Sequence, residues 1–114
     1  MPRAVMLVFA HPAGPDAEDE FNEWYDEVHL KDLLAVPGIV GATRYRLGDV
    51  QPGTASVTAT TAPYLAIYEI EAEDVQATFA EIGKRAGTDQ MRLSDAMSRS
   101  GDTAPVSLAY RLME

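Results

Sequence analysis

Apolar residues along the chain follow two different periods. Residues 4–10, AVMLVFA, form an unbroken apolar run closed by His11-Pro12 and Gly14-Pro15. A short run of that kind, bounded by turn residues, predicts a strand covered on both faces. From about Asp16 to Val36 the spacing becomes helical. At about 100° per residue, Phe21, Trp24, Tyr25, Val28 and Val36 fall within one stripe, while Glu23, Glu27 and Lys31 point outward. Acidic residues crowd the first turns, where the helix dipole favours them, and Pro37-Gly38 supply the stop. IVGATRYRL (39–47) and YLAIYEIE (64–71) read as strands. Between them, QPGTASVTATTAP (51–63) has the small, turn-prone composition of a mobile loop. Val75, Phe79 and Ile82 mark a second helix over 73–87 that ends on Gly87. A short helical piece is expected over 89–97, with Thr88 as its cap. The last strand covers 104–113, with Val106, Leu108, Tyr110 and Leu112 on one face.

The order β-α-β-β-α-β within one domain, 1–114, predicts an α+β, ferredoxin-like antiparallel sheet of four strands with the helices on one face. Counting faces adds a partner. The first strand is apolar on both sides, Val5, Leu7 and Phe9 on one and Met6, Val8 and Ala10 on the other. The helices cover only one side. A second copy presenting the same sheet is the simplest cover for the other, so a homodimer is expected.

Charge and composition then narrow the partners. A formal net charge of −9, with no Lys/Arg cluster, opposes binding to a phosphate backbone, so nucleic acid is not an expected partner. With no cysteine there is no disulfide framework or thiolate metal site, which fits a cytoplasmic location. No apolar run is long enough to span a bilayer, and the run at 4–10 is followed by HPAGPDAEDE rather than a cleavage site, so no membrane partner is expected.

Candidate chemistry gathers on the first helix. His29 falls at the edge of its apolar stripe and Asp32 near the middle, three residues further on. A carboxylate there costs several kcal/mol unless it is paired. A lone histidine on an apolar face is commonly a packed structural residue, and Asp32 near the helix end could simply reach solvent. The functional alternative has Asp32 orient the imidazole as an acid/base at a pocket mouth, with Tyr25 donating a hydrogen bond to a developing oxyanion. His11, at the end of the first strand, is either a turn residue or part of the pocket rim. Arg44 and Arg46 share a strand face as solvated charges, a carboxylate-binding pair or a dimer contact. Tyr64, Tyr68 and Tyr110 line either a pocket or the space between two sheets. The two histidines give no metal-binding pattern.

FNEWYDEVHLKDLLAVPGIVGATRY (21–45) resembles the EthD-like branch of the dimeric α+β barrel superfamily through Phe21, Trp24, Tyr25, His29, Leu33, Pro37 and Gly38. The resemblance implies a dimer whose two sheets form a barrel. It also implies kinship with small cofactor-free enzymes, namely polyketide cyclases, lactone isomerases, dehydratases and quinone-forming monooxygenases, in which a pocket histidine moves the proton. His29 occupies that position here. The expected activity is acid/base catalysis without a cofactor on a small apolar oxygenated molecule. His29, Tyr25 and Asp32 would be catalytic, and Phe21, Trp24, His11 and Tyr68 would contact the ligand. A non-catalytic small-molecule-binding or accessory dimer is the alternative, followed by a cofactor-free or haem-dependent monooxygenase. Haem, which some wider relatives bind, is not expected.

Overall fold

The computed structural model describes residues 2–53 and 57–113. Four strands, β1 (Arg3–Ala10), β2 (Ile39–Arg46), β3 (Tyr64–Glu71) and β4 (Val106–Arg111), form one sheet in the order β2-β3-β1-β4. Every neighbouring pair is antiparallel. The first helical stretch opens with a 3₁₀ turn at Pro15–Ala17 and continues through α1 (Glu18–Trp24), a π-turn (Tyr25–His29) and α2 (Leu30–Leu34). The second helix is α3 (Val75–Arg85). This is the α+β arrangement that the element order predicts.

Strand register assigns each residue to a face. Ala4, Met6 and Ala10 of β1 pair with Ile70, Tyr68 and Tyr64 of β3, and all six are buried beneath the helices. Val5, Leu7 and Phe9 lie on the opposite, outer face, across from Tyr110, Leu108 and Val106 of β4. No element of the described chain covers that face: Val106, Leu108 and Tyr110 remain 51%, 44% and 56% exposed. The sheet is thus apolar on both sides and covered on one.

Local chemistry accounts for the helix ends. Asp74 caps α3 by accepting a hydrogen bond from the Ala77 amide at 3.2 Å. Arg85, in its last turn, pairs with Glu81 at 2.7 Å and donates to the Ala35 carbonyl at 3.3 Å, which ties α3 to the end of α2. Gly38 makes the turn into β2 at φ 101°, and a Cβ there would come within 2.6 Å of the Thr78 hydroxyl on α3. Backbone conformation and close approach both require glycine at this point.

Two expectations change. The helix begins at a proline-led 3₁₀ turn and carries a π-turn in its middle, which a 100° wheel does not anticipate. Residues 89–97 form no helix. Thr88 Oγ1 instead accepts from the Gln90 amide at 3.1 Å and closes a turn. The segment then runs as an irregular strap joined by isolated bridges, Ala86 to Met91 and Met97 to Pro12. Of the loop 51–63 expected to be mobile, residues 54–56 lie outside the described residues. Beyond them the Thr58 amide donates to Thr61 Oγ1 at 2.9 Å.

Gly38→Ala is expected to destabilise the fold by about 1–3 kcal/mol, through a strained φ and the clash with Thr78. The midpoint of urea unfolding, compared with that of wild type, measures it.

Candidate functional site

Between α1 and the sheet, aromatic rings meet a small set of polar groups. Phe21 and Tyr25 pack edge to face at 5.4 Å, and Phe21 lies 5.3 Å from Tyr64. All three rings are buried. Arg44 rises from β2 into this cluster, its guanidinium carbon 4.3 Å from the centre of the Tyr25 ring. Asp26 holds one end of the guanidinium at 2.9 Å and Asn22 the other at 2.9 Å. Asn22 also donates to the Tyr64 hydroxyl at 3.0 Å, which in turn donates to Glu18 at 2.5 Å. Arg44 is therefore neither a solvated strand charge nor a contact on the outer face. Its register opposite Ala66 sends it under the helix. Arg46 follows on the same side, over the Tyr64 ring at 5.5 Å.

The π-turn organises the rest. The Leu30 amide donates to the Tyr25 carbonyl, five residues back, instead of four. The added residue rotates His29 under Trp24, and their rings stack at 4.5 Å with 23° between planes. In an unbroken α-helix, positions five apart would lie about 140° around the axis from one another. Tyr25 meets the same imidazole edge-on at 4.9 Å. The Tyr68 hydroxyl donates to the Tyr25 hydroxyl at 3.3 Å, which leaves the Tyr25 proton free to point elsewhere.

Asp32 takes a part different from the expected one. Its carboxylate, 8% exposed, makes its hydrogen bonds with Arg92 on the strap, 60 residues away. Oδ2 accepts from the Arg92 amide at 3.0 Å and from Nε at 3.4 Å, and Oδ1 accepts from Nη2 at 3.1 Å. The Trp24 indole donates to the Arg92 carbonyl at 3.1 Å. Among the described residues no hydrogen bond joins Asp32 to His29, and His29 Nδ1 is buried without any partner. Asp32 thus reaches the imidazole through its charge and not through a hydrogen bond.

Burial dominates the titration of these groups. It pushes His29 down to about 4, with the Asp32 carboxylate opposing and Arg44 assisting the shift. Tyr25 is raised, chiefly by burial, against the Tyr68 hydrogen bond and the Arg44 charge. Tyr68 is raised further, by burial and by its neighbour Tyr25. Burial also favours the neutral form of Asp32, but the Arg92 hydrogen bonds more than offset it and hold the carboxyl below its ordinary value. At neutral pH the site therefore presents a neutral imidazole, two protonated phenols and a charged carboxylate.

The other expected ligand contacts are dispersed. His11 lines a separate cavity of about 230 Å³ with Phe9, Thr60, Ala62, Asp102, Ala104 and Val106. Phe21 and Tyr68 are fully enclosed by packing. An apolar cavity of about 320 Å³ opens between α3 and β4, lined by Met6, Phe79, Ile82, Ser107, Leu108 and Ala109. His29 lines neither cavity. Met6, which lines this cavity, is the cross-strand partner of Tyr68. Arg92, which no local pattern singles out, and Arg44 both come close to the rings despite their distance in sequence. Among the described residues no three His, Asp or Glu gather as metal ligands. No helix of the described residues is long and apolar enough to cross a membrane.

Solved structures share the architecture. A dimeric ferredoxin-like protein from an uncultured marine organism matches with a TM-score of 0.62 and 12% identity, over 100% of this chain and 99% of its own. This chain has the ferredoxin-like fold. An EthD family protein from Bacillus halodurans matches at TM-score 0.58 and 13% identity, over 99% of this chain and 100% of its own. A dimeric ferredoxin-like protein of unknown function from Jannaschia sp. matches at 0.56 and 20% identity, over 98% and 99%. The ferredoxin-like frame is thus common to proteins described as dimeric and to one of the EthD family. No family model and no curated protein sequence matches the chain.

The low His29 value has a sign. The unfolded chain takes up a proton near 6.5, whereas the folded chain declines it until about 4. The contribution of a half-buried neutral His29 is complete above 6.5 and is lost as pH falls from about 6.5 to about 4, on the order of 3 kcal/mol in all. Urea unfolding of wild type should weaken across that window, and His29→Gln should lack this part of the slope.

Proposed function

We propose that the chain is a cofactor-independent acid/base catalyst, a cyclase, dehydratase or isomerase, acting on a small apolar oxygenated molecule of polyketide or aromatic-pathway type. The observation that carries the reading is the buried, unpartnered nitrogen of His29, stacked on Trp24 and set edge-on against the hydroxyl-bearing Tyr25. An enclosed polar atom left without a partner costs about 1–3 kcal/mol, an expense that a ligand oxygen or a proton in transit would recover. In this reading His29 accepts a proton from a carbon acidified by an adjacent carbonyl. Tyr25 donates to the oxygen on which negative charge gathers, with Tyr68 fixing the direction of its hydroxyl. An imidazole so strongly depressed takes the proton readily only as that charge develops beside it, which confines its basicity to the reacting complex. Arg44, behind the Tyr25 ring, favours the same build-up of charge.

The apolar cavity between α3 and β4 supports a ligand that is mostly hydrocarbon. His29 does not line it, and this favours a second reading, a dimer that binds such a molecule without transforming it. In either reading two copies associate through the uncovered outer faces, where Leu7, Phe9, Ile67, Leu108 and Tyr110 would be withdrawn from water.

Two experiments bear on these readings. Sedimentation at micromolar concentration should give a dimer, and Leu108→Arg should give a folded monomer. A monomeric wild type would remove the dimer. For the chemistry, polyketide-like aromatic ketones with an acidic α-carbon would be incubated in D₂O, and deuterium incorporation followed by NMR. Catalysed exchange should fall about 10²–10⁴-fold in His29→Gln and about 10²-fold in Tyr25→Phe. Ketone binding at Met6 and Phe79 with no catalysed exchange would favour the binding protein.

A further inference from the structure

The strap between α3 and β4, residues 86–98, has no regular structure, yet it is fastened at several points. The Ala13 amide donates to the Ala96 carbonyl at 2.6 Å, and the Ser98 amide donates to the His11 carbonyl at 2.9 Å. Met91 and Ala96 are buried, at 2% and 3% exposure. The tightest point is Arg92. Its amide and guanidinium are taken by Asp32, and its carbonyl by the Trp24 indole. Those two residues flank His29 on either side, five positions before it and three after. Trp24 is also the ring against which the imidazole stacks.

From this we infer that Arg92 is a positioning residue for His29: by clasping Trp24 and Asp32 at once, it holds the π-turn closed and keeps the imidazole stacked with its Nδ1 shielded from water. A π-turn contains one residue more than the α-helix would place there, and reversion to α-geometry would turn Trp24 away from His29. The clasp resists that rotation, because Trp24 and Asp32 must both stay on the strap side while five residues of π geometry lie between α1 and α2. Asp32 therefore acts through Arg92 on the conformation, in addition to the direct effect of its charge on the proton. The charged or titratable groups near the imidazole are Asp32 of α2, Arg44 of β2, Tyr25 of the π-turn itself and, through Asp32, Arg92 of the strap.

The inference builds on the reading of His29 as the proton-handling group, but its test needs neither substrate nor turnover, so either can fail alone. His29 would be titrated by NMR in wild type, Arg92→Ala and Asp32→Asn. Emission and acrylamide quenching of Trp24, the single tryptophan, would be followed in parallel. If the clasp holds the imidazole in its dry site, both substitutions admit water. Both then raise the His29 titration from about 4 towards 6.5, by about one pH unit or more, with redder and more readily quenched emission. If Asp32 acted by charge alone, Asp32→Asn would lower the titration instead, because the carboxylate favours the imidazolium. Opposite movements in the two variants, or an Arg92→Ala variant titrating and fluorescing as wild type, would overturn the inference. Should Arg92→Ala lose its fold by circular dichroism, Arg92→Lys keeps the charge and the backbone contacts but not the forked geometry. It should move both readouts in the same direction by a smaller amount, and no movement there would equally overturn the inference.

Discussion

A shift in hydrogen-bond register underlies the arrangement of the first helix. Because the Leu30 amide reaches the Tyr25 carbonyl, the helix contains one residue more than its turns would otherwise hold. Everything before that point keeps the register set by Phe21 and Trp24 against the sheet. Everything after it is rotated, so Asp32 faces the strap and Leu33 and Val36 still reach the core. A π-turn is less favourable than the α-turn it replaces and persists where surrounding contacts over-determine it. Here those contacts are the Trp24–His29 stack inside the turn and the Arg92 hydrogen bonds outside it.

The sheet beneath is divided by electrostatics as well as by hydrophobicity. On the helix side, Arg44 brings a full positive charge under three aromatic rings, and this is tolerable because Asp26 and Asn22 complete its hydrogen bonding while the rings present their negative faces. Tyr64, Asn22 and Glu18 continue the chain of donors and acceptors outward to solvent. The outer side has no such polar inset at its centre. It presents side chains of Val5, Leu7, Phe9, Leu65 and Ile67, with Glu69 and Glu71 towards one end. The two sides thus demand different company: one an internal network, the other a broad apolar surface.

Much of the fold was legible in the amino-acid order. Strand and helix periods, the Pro37-Gly38 stop and the doubly apolar first strand all express local rules, and the sheet order follows once six elements are placed. The candidate ring was legible too, since a histidine on the stripe of Phe21, Trp24 and Tyr25 stands out from its neighbours. Its surroundings were not. The assumption of 100° per residue hides a π-turn, because nothing in YDEVH marks where the extra residue enters. Asp32 could be seen to need a partner, but Arg92 lies 60 positions away in a stretch whose turn residues and alternating polarity imitate a short helix. Arg44 illustrates the same limit: an alternating strand shows that Arg44 and Arg46 share a side, while only the register with β3 shows which side that is.

The separation of Arg92 from the residues it clasps also bears on the order in which the molecule takes shape. During synthesis from the N-terminus, Trp24 and His29 emerge well before the segment that will shield them, so the imidazole spends that interval hydrated and near its ordinary basicity. The contact across 60 positions cannot close until the strap itself has been made. Shielding of the ring therefore waits on the strap, and a nascent chain lacking its final quarter would carry the same histidine as an ordinary wet base.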